Sequence, residues 1–321
     1  MKVELYNSSN KEEWNCFVEQ TNHPSFLFHR NFMDYHSDRY RDHSLLFYET
    51  NQLIAILPAH ANDGVLCSHF GLSYGGIIHL ASLRTETFLT LLEALANYCK
   101  SNHFKAIVLN EIPFIYQHSL SCHLPFVANV LQATQHVQLL STLDCTTPLF
   151  PNTNRKRMIQ KGIDEGYSVQ EDQSPKAFWQ EILTPRLQDR YQVNPVHTLD
   201  EIEQLIQAFP QSIKQMNVYN TDGILVGGTT LFITPHVVHL QYIAGKEEDN
   251  KKGALDYLIY SLIQTYQGKV RYFDFGSSHW SPKQLNKGLL YWKESFGARS
   301  IPQYCYTFQV ENLLQARQII D

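Results

Sequence analysis

The 321-residue chain has no apolar run long enough to cross a bilayer; the longest, Leu53 to Ala59, is seven residues and contains Pro58. A membrane-spanning helix needs roughly 18 to 20. Charge is sparse as well: 18% of residues are charged, 31 acidic against 26 basic, for a formal net charge of −5. That balance does not favour a protein held to DNA by bulk phosphate neutralisation, although a local basic groove is compatible with it. The six cysteines (Cys16, Cys67, Cys99, Cys122, Cys145 and Cys305) form no C-x-x-C pair. Neither a zinc knuckle nor a redox dithiol is indicated, and reduced, mostly buried thiols are expected. Glu4 stands where a secretory leader would be apolar, so the expected location is the cytoplasm. No G-x-x-x-x-G-K-[ST] phosphate loop and no G-x-G-x-x-G occurs, which removes the usual support for NTPase and dinucleotide readings. Fifteen histidines invite a metal site, yet no H-E-x-x-H occurs. His236 and His239, on an expected strand, point to opposite faces, and no metal site is expected.

What is present is a globular composition, 43% hydrophobic, in a chain long enough for about two domains. The two halves repeat one plan. Leu45–Glu49 and Leu53–Leu57 read as a hairpin, as do Ile213–Tyr219 and Ile224–Ile233 around the turn Asn220-Thr221-Asp222-Gly223. Phe88, Leu91, Leu92, Leu95 and Cys99 make one apolar helical stripe, and Leu255, Leu258, Ile259, Leu262 and Tyr266 repeat its spacing. Each helix leads to a short strand expected to be buried on both faces, Ala106–Leu109 and Tyr272–Phe275. Candidate helices Lys11–Gln20 and Asn31–Tyr40 match Lys176–Leu183 and Thr198–Phe209, and closing strands Val137–Cys145 and Ile301–Phe308 match each other. The expected fold is α/β (α+β), a duplicated domain divided as 1–150 and 151–321.

The order of elements within each copy is that of the GNAT acyltransferase fold. Three segments, together with the duplication, resemble the Fem-type (FemABX-like) peptidyltransferases and related double-GNAT acyltransferases of bacterial envelope pathways. Asn154–Gly162 followed by Glu165–Val169 is similar to the basic R-x-x-I-x-K helix that leads into the second domain of that family. Val108–Pro113 resembles the end of the first domain's parallel strand. The most specific is Phe273-Asp274-Phe275-Gly276-Ser277 with Gly288–Ala298, similar to the family's D-F-G and G-L…K…F-G ending. A long helical-hairpin insertion, carried by some members, is absent.

The resemblance implies tandem GNAT domains, acceptor in the first and donor in the second. A GNAT-type donor pyrophosphate rests on backbone amides at a helix N-terminus; the residues there are Lys251, Lys252, Gly253 and Ala254. Lys293, by resemblance, would stabilise charge in the donor or tetrahedral intermediate. Asp274 and Gly276 end the parallel strand, where open α/β sheets place ligands; Asp274 would orient or deprotonate the acceptor and Gly276 would approach the donor. His279 and Trp280 follow as a candidate base and stacking wall. Tyr35 and His36, with Tyr74, Gly75 and Gly76, are the acceptor-site candidates. Each position also has a structural reading, as a cap, a turn or a packed side chain.

The expected activity moves an acyl group from acyl-CoA, such as acetyl-CoA, to an amine or hydroxyl of a small or lipid-linked cell-envelope sugar or peptide precursor. The alternatives are Fem-type peptidyl transfer with aminoacyl-tRNA as donor, and a catalytically silent GNAT-fold binding protein. No permanently bound cofactor and no DNA partner is implied. The chain is not expected to span a membrane, and peripheral contact with one is left open.

Overall fold

The structure, a computed structural model, describes residues 1–36 and 39–320, the side chain at 36 excepted. The chain divides into two compact units, Met1–Gln138 with Pro302–Asp321, and Leu139–Ile301.

The first unit begins with β1 (Lys2–Leu5) and α1 (Lys11–Gln20), whose buried face carries Trp14, Phe17 and Val18. A short α2 (Arg30–Met33) follows. The helix expected over Asn31–Tyr40 is α-helical only to Met33 and passes into a 3-10 turn over Asp34–His36; Arg30, in its first turn, is buried and committed locally. Its guanidinium donates to Asp34 at 2.7 Å and Asp42 at 3.2 Å, and lies 3.9 Å from the centre of the Tyr6 ring. Part of that stretch lies outside the described residues. The hairpin of β2 (Leu45–Glu49) and β3 (Gln52–Leu57) forms as read from its alternation, Leu45 facing Leu57. A second hairpin, β4 (Ala59–Asn62) and β5 (Val65–Ser68), leads to β6 (Ile78–His79). The stripe on α3 (Thr85–Ser101) is buried as its spacing predicts: Phe88, Leu91, Leu92, Leu95 and Cys99 are covered. β7 (Ala106–Asn110), parallel to β5, and α4 (Leu124–Val130) follow.

The second unit takes most of β8 (Thr134–Asp144), then α5 (Thr153–Asp164), capped by the Asn152 side chain accepting from the Arg155 amide. After β9 (Ser168–Asp172), α6 (Lys176–Phe178) passes through a π-turn at Trp179–Leu183 into α7 (Thr184–Tyr191). α8 (Leu199–Ala208) starts at a Thr198/Glu201 capping box. β10 (Ile213–Tyr219), β11 (Leu225–Ile233) and β12 (Val237–Gly245) make an antiparallel meander. Then come α9 (Glu247–Asn250), α10 (Ala254–Tyr266) and β13 (Tyr272–Ser277), which is parallel to β12. A small hairpin, β14 (His279–Ser281) and β15 (Gln284–Leu285), and α11 (Lys287–Glu294) lead to β16 (Arg299–Gln309) and α12 (Val310–Leu313).

The closing strands are exchanged. β16, which ends the second repeat, pairs antiparallel with β7, from Cys305 opposite Asn110 to Gln309 opposite Ala106. β8, which ends the first repeat, pairs antiparallel with β13, Asp274 opposite Thr142. The compact units therefore do not coincide with the stretches 1–150 and 151–321. Among the described residues, no helix is long and apolar enough to cross a membrane.

Candidate functional site

The second unit contains one place where the sheet opens. β12 and β13 pair over only three positions, Val237–Tyr272, Val238–Phe273 and His239–Asp274. Beyond them both strands continue with no pairing to each other. On its other edge β12 bulges: Thr230 of β11 faces Tyr242 while Leu231 faces Leu240, so Gln241 is the extra residue. A bulge leaves a residue out of the ladder and re-aims its backbone.

At the last paired position, Asp274 is 1% exposed. One carboxylate oxygen takes the His239 Nδ1 at 2.9 Å, and the other accepts the Gly276 amide at 2.8 Å. An ionised carboxylate can only accept, so the imidazole proton sits on Nδ1 and the lone pair on Nε2. Gly276 makes room for this ring. Its φ is +68°, and a Cβ there would lie 3.2 Å from His239 Cε1.

Lys293, on α11, is buried and donates to the Gly276 carbonyl at 2.9 Å and the Ser277 carbonyl at 2.6 Å. Burial lowers its pKa to about 8, while the Asp274 charge pulls the other way. The ammonium thus fixes the end of β13 and places a positive charge beside the dyad. Three buried side-chain atoms with no hydrogen-bond partner belong to the same elements: Thr142 Oγ1, opposite Asp274, Gln241 Oε1 on the bulge, and Ser278 Oγ just past β13. Buried polar atoms are normally bonded, and unpaired ones mark places where a ligand's polar atoms can be met.

Of the residues singled out in sequence, Asp274, Gly276 and Lys293 come together here. His279 does not act with them: its Nε2 accepts the Leu139 amide at 3.1 Å and its Nδ1 faces the Ser281 carbonyl at 3.2 Å. Both nitrogens serve the fold, which leaves neither as a base. Trp280 is 58% exposed and packs against Tyr191, ring centres 6.0 Å apart. In sequence His239 reads only as a candidate metal ligand; its partner is 35 positions away, on a strand whose register no local pattern reveals.

The helix start read as a pyrophosphate cradle is packed by protein. Gly253 has φ +91°, and a Cβ there would lie 2.2 Å from the Met158 carbonyl oxygen of α5. Lys161 donates to the Lys251 carbonyl, Lys251 pairs with Glu247 and Glu248, and Lys252 with Glu165. In the first turn of α10, after Ala254, the buried carboxylate of Asp256 takes Arg155 and the Trp292 indole. The glycine's freedom is spent on a helix crossing, and the position favoured for an anion already holds one.

In the first unit Tyr74 is buried against Tyr116 and Phe28, and Tyr35 packs edge-on to Phe32. The side chain of His36 lies outside the described residues. Gly75 donates to the Asn110 carbonyl, bridges to Glu111, and with Gly76 lines a small cavity. Gly71-Leu72-Ser73-Tyr74-Gly75 has the G-x-S-x-G spacing of a hydrolase elbow. That motif needs a strand–turn–helix setting. Here it lies between β5 and β6, the next helix begins at Thr85, and the Ser73 carbonyl is bonded by the Asn110 and Gln303 side chains.

No protein-family model matches the chain, and no curated protein matches it. Solved structures do. FemX is similar over 98% of this chain and 99% of its own, at 10% identity and a TM-score of 0.69. L-PGS from Bacillus licheniformis is similar over 98% of both chains, at 12% identity and 0.60. A tandem GNAT protein from the clavulanic acid biosynthesis pathway covers 96% of this chain and 99% of its own, at 10% identity and 0.53. The chain has the tandem GNAT-type fold that these Fem-like and GNAT structures share.

Proposed function

We propose that this protein is an acyltransferase that moves an acyl group from an activated ester or thioester to an amine, with His239 accepting the amine's proton. The observation that carries this reading is the His239–Asp274 pair at the point where β12 and β13 part. A free amine with a pKa near ~10 is almost wholly protonated at neutral pH, so transfer needs a base. Nε2 is that base: Asp274 holds the tautomer and stabilises the imidazolium that forms. The carbonyl under attack develops negative charge, for which the backbone amide at the Gln241 bulge is the candidate donor, worth ~10²–10³ in rate for such groups. Lys293 positions the end of β13 and adds positive potential. Trp280, exposed on the adjacent hairpin, is kept as a wall for the acceptor.

The acceptor class carried from the sequence resemblance is an amine or hydroxyl on a cell-envelope sugar or peptide precursor. For the donor, acyl-CoA is the first reading. Aminoacyl-tRNA is the second, supported by a specific observation: α5 and the Arg155–Asp256 pair crowd the start of α10, which leaves less room for a CoA diphosphate. The test is a transfer assay read by mass spectrometry, offering acetyl-CoA and a charged-tRNA mixture in turn to amine acceptors. Product with the first and not the second assigns a thioester donor, and the reverse assigns an aminoacyl ester. Turnover in His239→Gln equal to the wild type would remove the dyad from the mechanism, and binding of acceptor with no product from any donor would leave a silent binding protein.

A further inference from the structure

The first unit holds a polar cavity. It is lined by His23, His79, Glu111, Ser121 and His123, with Gly75, Gly76 and the apolar Ile77, Phe88 and Leu124 closing it, and has a volume of about 30 Å³. A buried water needs at least ~10–15 Å³ on the same measure, so the space suits one or two small polar groups, and a larger ligand can place only its head there.

Glu111 and the histidines present acceptors to this space, beside two groups that carry donors, the Ser121 hydroxyl and the Gln117 amide, whose oxygen accepts the Ser121 backbone N–H at 3.4 Å. Glu111 follows β7, tied through its backbone to Gly75 and to the Tyr304 carbonyl. Among the described residues no ion pair or side-chain hydrogen bond reaches its carboxyl group, and no lysine or arginine lines the cavity. Burial pushes its pKa up to about 7. His79 donates Nδ1–H to the Leu80 carbonyl at 2.8 Å, because a carbonyl can only accept, so its Nε2 carries a lone pair. His23 is 4% exposed, and its Nδ1 is buried without a partner. His123 lies stacked on Phe88 with ring centres 4.7 Å apart and has Ser121 Oγ at 3.1 Å from Nε2. Burial lowers the pKa of all three imidazoles, which keeps them neutral at neutral pH.

A carboxylate with no cation and neutral imidazoles with unused lone pairs cost folding free energy unless something meets them. The group that meets them is a cation with several N–H donors. A metal is a poor fit, since among the described residues no three His, Cys, Asp or Glu side chains converge so as to hold one. We infer that this cavity binds the primary ammonium group of a ligand, paired with Glu111 and donating to the imidazoles of His79 and His23, with the rest of the ligand outside the cavity. The site shares no residue with the His239 pair and does not depend on the acyl-transfer reading.

The probes are n-propylamine, Nα-acetyl-lysine amide and uncharged n-propanol, titrated calorimetrically into the full chain at pH 8, where Glu111 is ionised and the amines are protonated. Both amines should bind at least 10-fold more tightly than n-propanol, and Glu111→Gln should weaken them at least 10-fold. Tighter binding of the lysine derivative assigns a peptide-borne amine, and tighter binding of propylamine a free one. Equal binding of propylamine and propanol, or no binding of either amine, overturns the inference, as does unchanged amine affinity in a folded Glu111→Gln. If circular dichroism shows that variant unfolded, the amine-against-alcohol comparison in the wild type decides alone.

Discussion

Asp274→Asn is the perturbation that tests the dyad with the least disturbance to the fold. The asparagine is isosteric with the carboxylate it replaces. Its carbonyl oxygen still accepts the Gly276 amide, which Asp274 now holds at 2.8 Å. Its NH₂ then faces His239 Nδ1, where the carboxylate sits at 2.9 Å. Two donors cannot share that bond, so the imidazole moves its proton to Nε2 and loses the lone pair that takes the substrate's proton. Removing a general base costs ~10²–10⁴ in rate, equivalent to about 3–5 kcal/mol in the barrier. Stability should fall by only about 1 kcal/mol, because one buried hydrogen bond reverses direction and none is left unmade. The assay is kcat across pH beside denaturant unfolding of the same preparation. The limb of the wild-type profile that reports the base should vanish, with KM for the donor little changed. Turnover within threefold of the wild type, in a variant of unchanged stability, would refute the assignment.

Lys293→Met should remove a pH dependence. The lysine's pKa is about 8 in the fold against 10.5 in the unfolded chain, so the charged form is penalised, fully below pH 8 and less as pH rises to 10.5. Wild-type stability relative to the Met variant should therefore rise across that window by about 3 kcal/mol, measured by denaturant titration at several pH values; a flat difference would show that the ammonium is not desolvated. Gly276→Ala places a Cβ 3.2 Å from the His239 ring at φ +68°, and should lower turnover at least tenfold for a stability cost of ~1–2 kcal/mol. Gly253→Ala meets the Met158 carbonyl at 2.2 Å with φ +91°; it should cost ~3 kcal/mol or more in chemical denaturation, and a loss below 0.5 kcal/mol would mean that α5 and α10 yield easily.

The repeat was legible because its signals are local. Alternation in β2–β3 and β10–β11, and the stripes on α3 and α10, are set by neighbours within one or two turns. Alternation places His239 on a strand, although His236 falls in the bend before it, and it cannot say what stands on the adjoining strand. Asp274 reaches His239 only through parallel register, which is fixed by burial of whole elements. Gly253 shows a different limit. A glycine before a helix looks the same in sequence whether a phosphate or another helix approaches, and here α5 does. The closing strands were found at the right offset, yet a repeat cannot reveal which sheet each one joins. The Glu111 cavity gathers its histidines from β6 and from separate loops, again beyond local pattern.

The exchange of closing strands sets an order of completion. β7 waits for β16, and Gln303 reaches Asn110 across 193 positions of sequence. β13, by contrast, finds β8 already made when it leaves the ribosome. The second unit therefore closes before the first, although it is synthesised later. In that interval the first unit carries the open edge of β7, the kind of surface on which nascent strands misassemble. Stalling synthesis ahead of residue 299 would hold the protein in that half-zipped state.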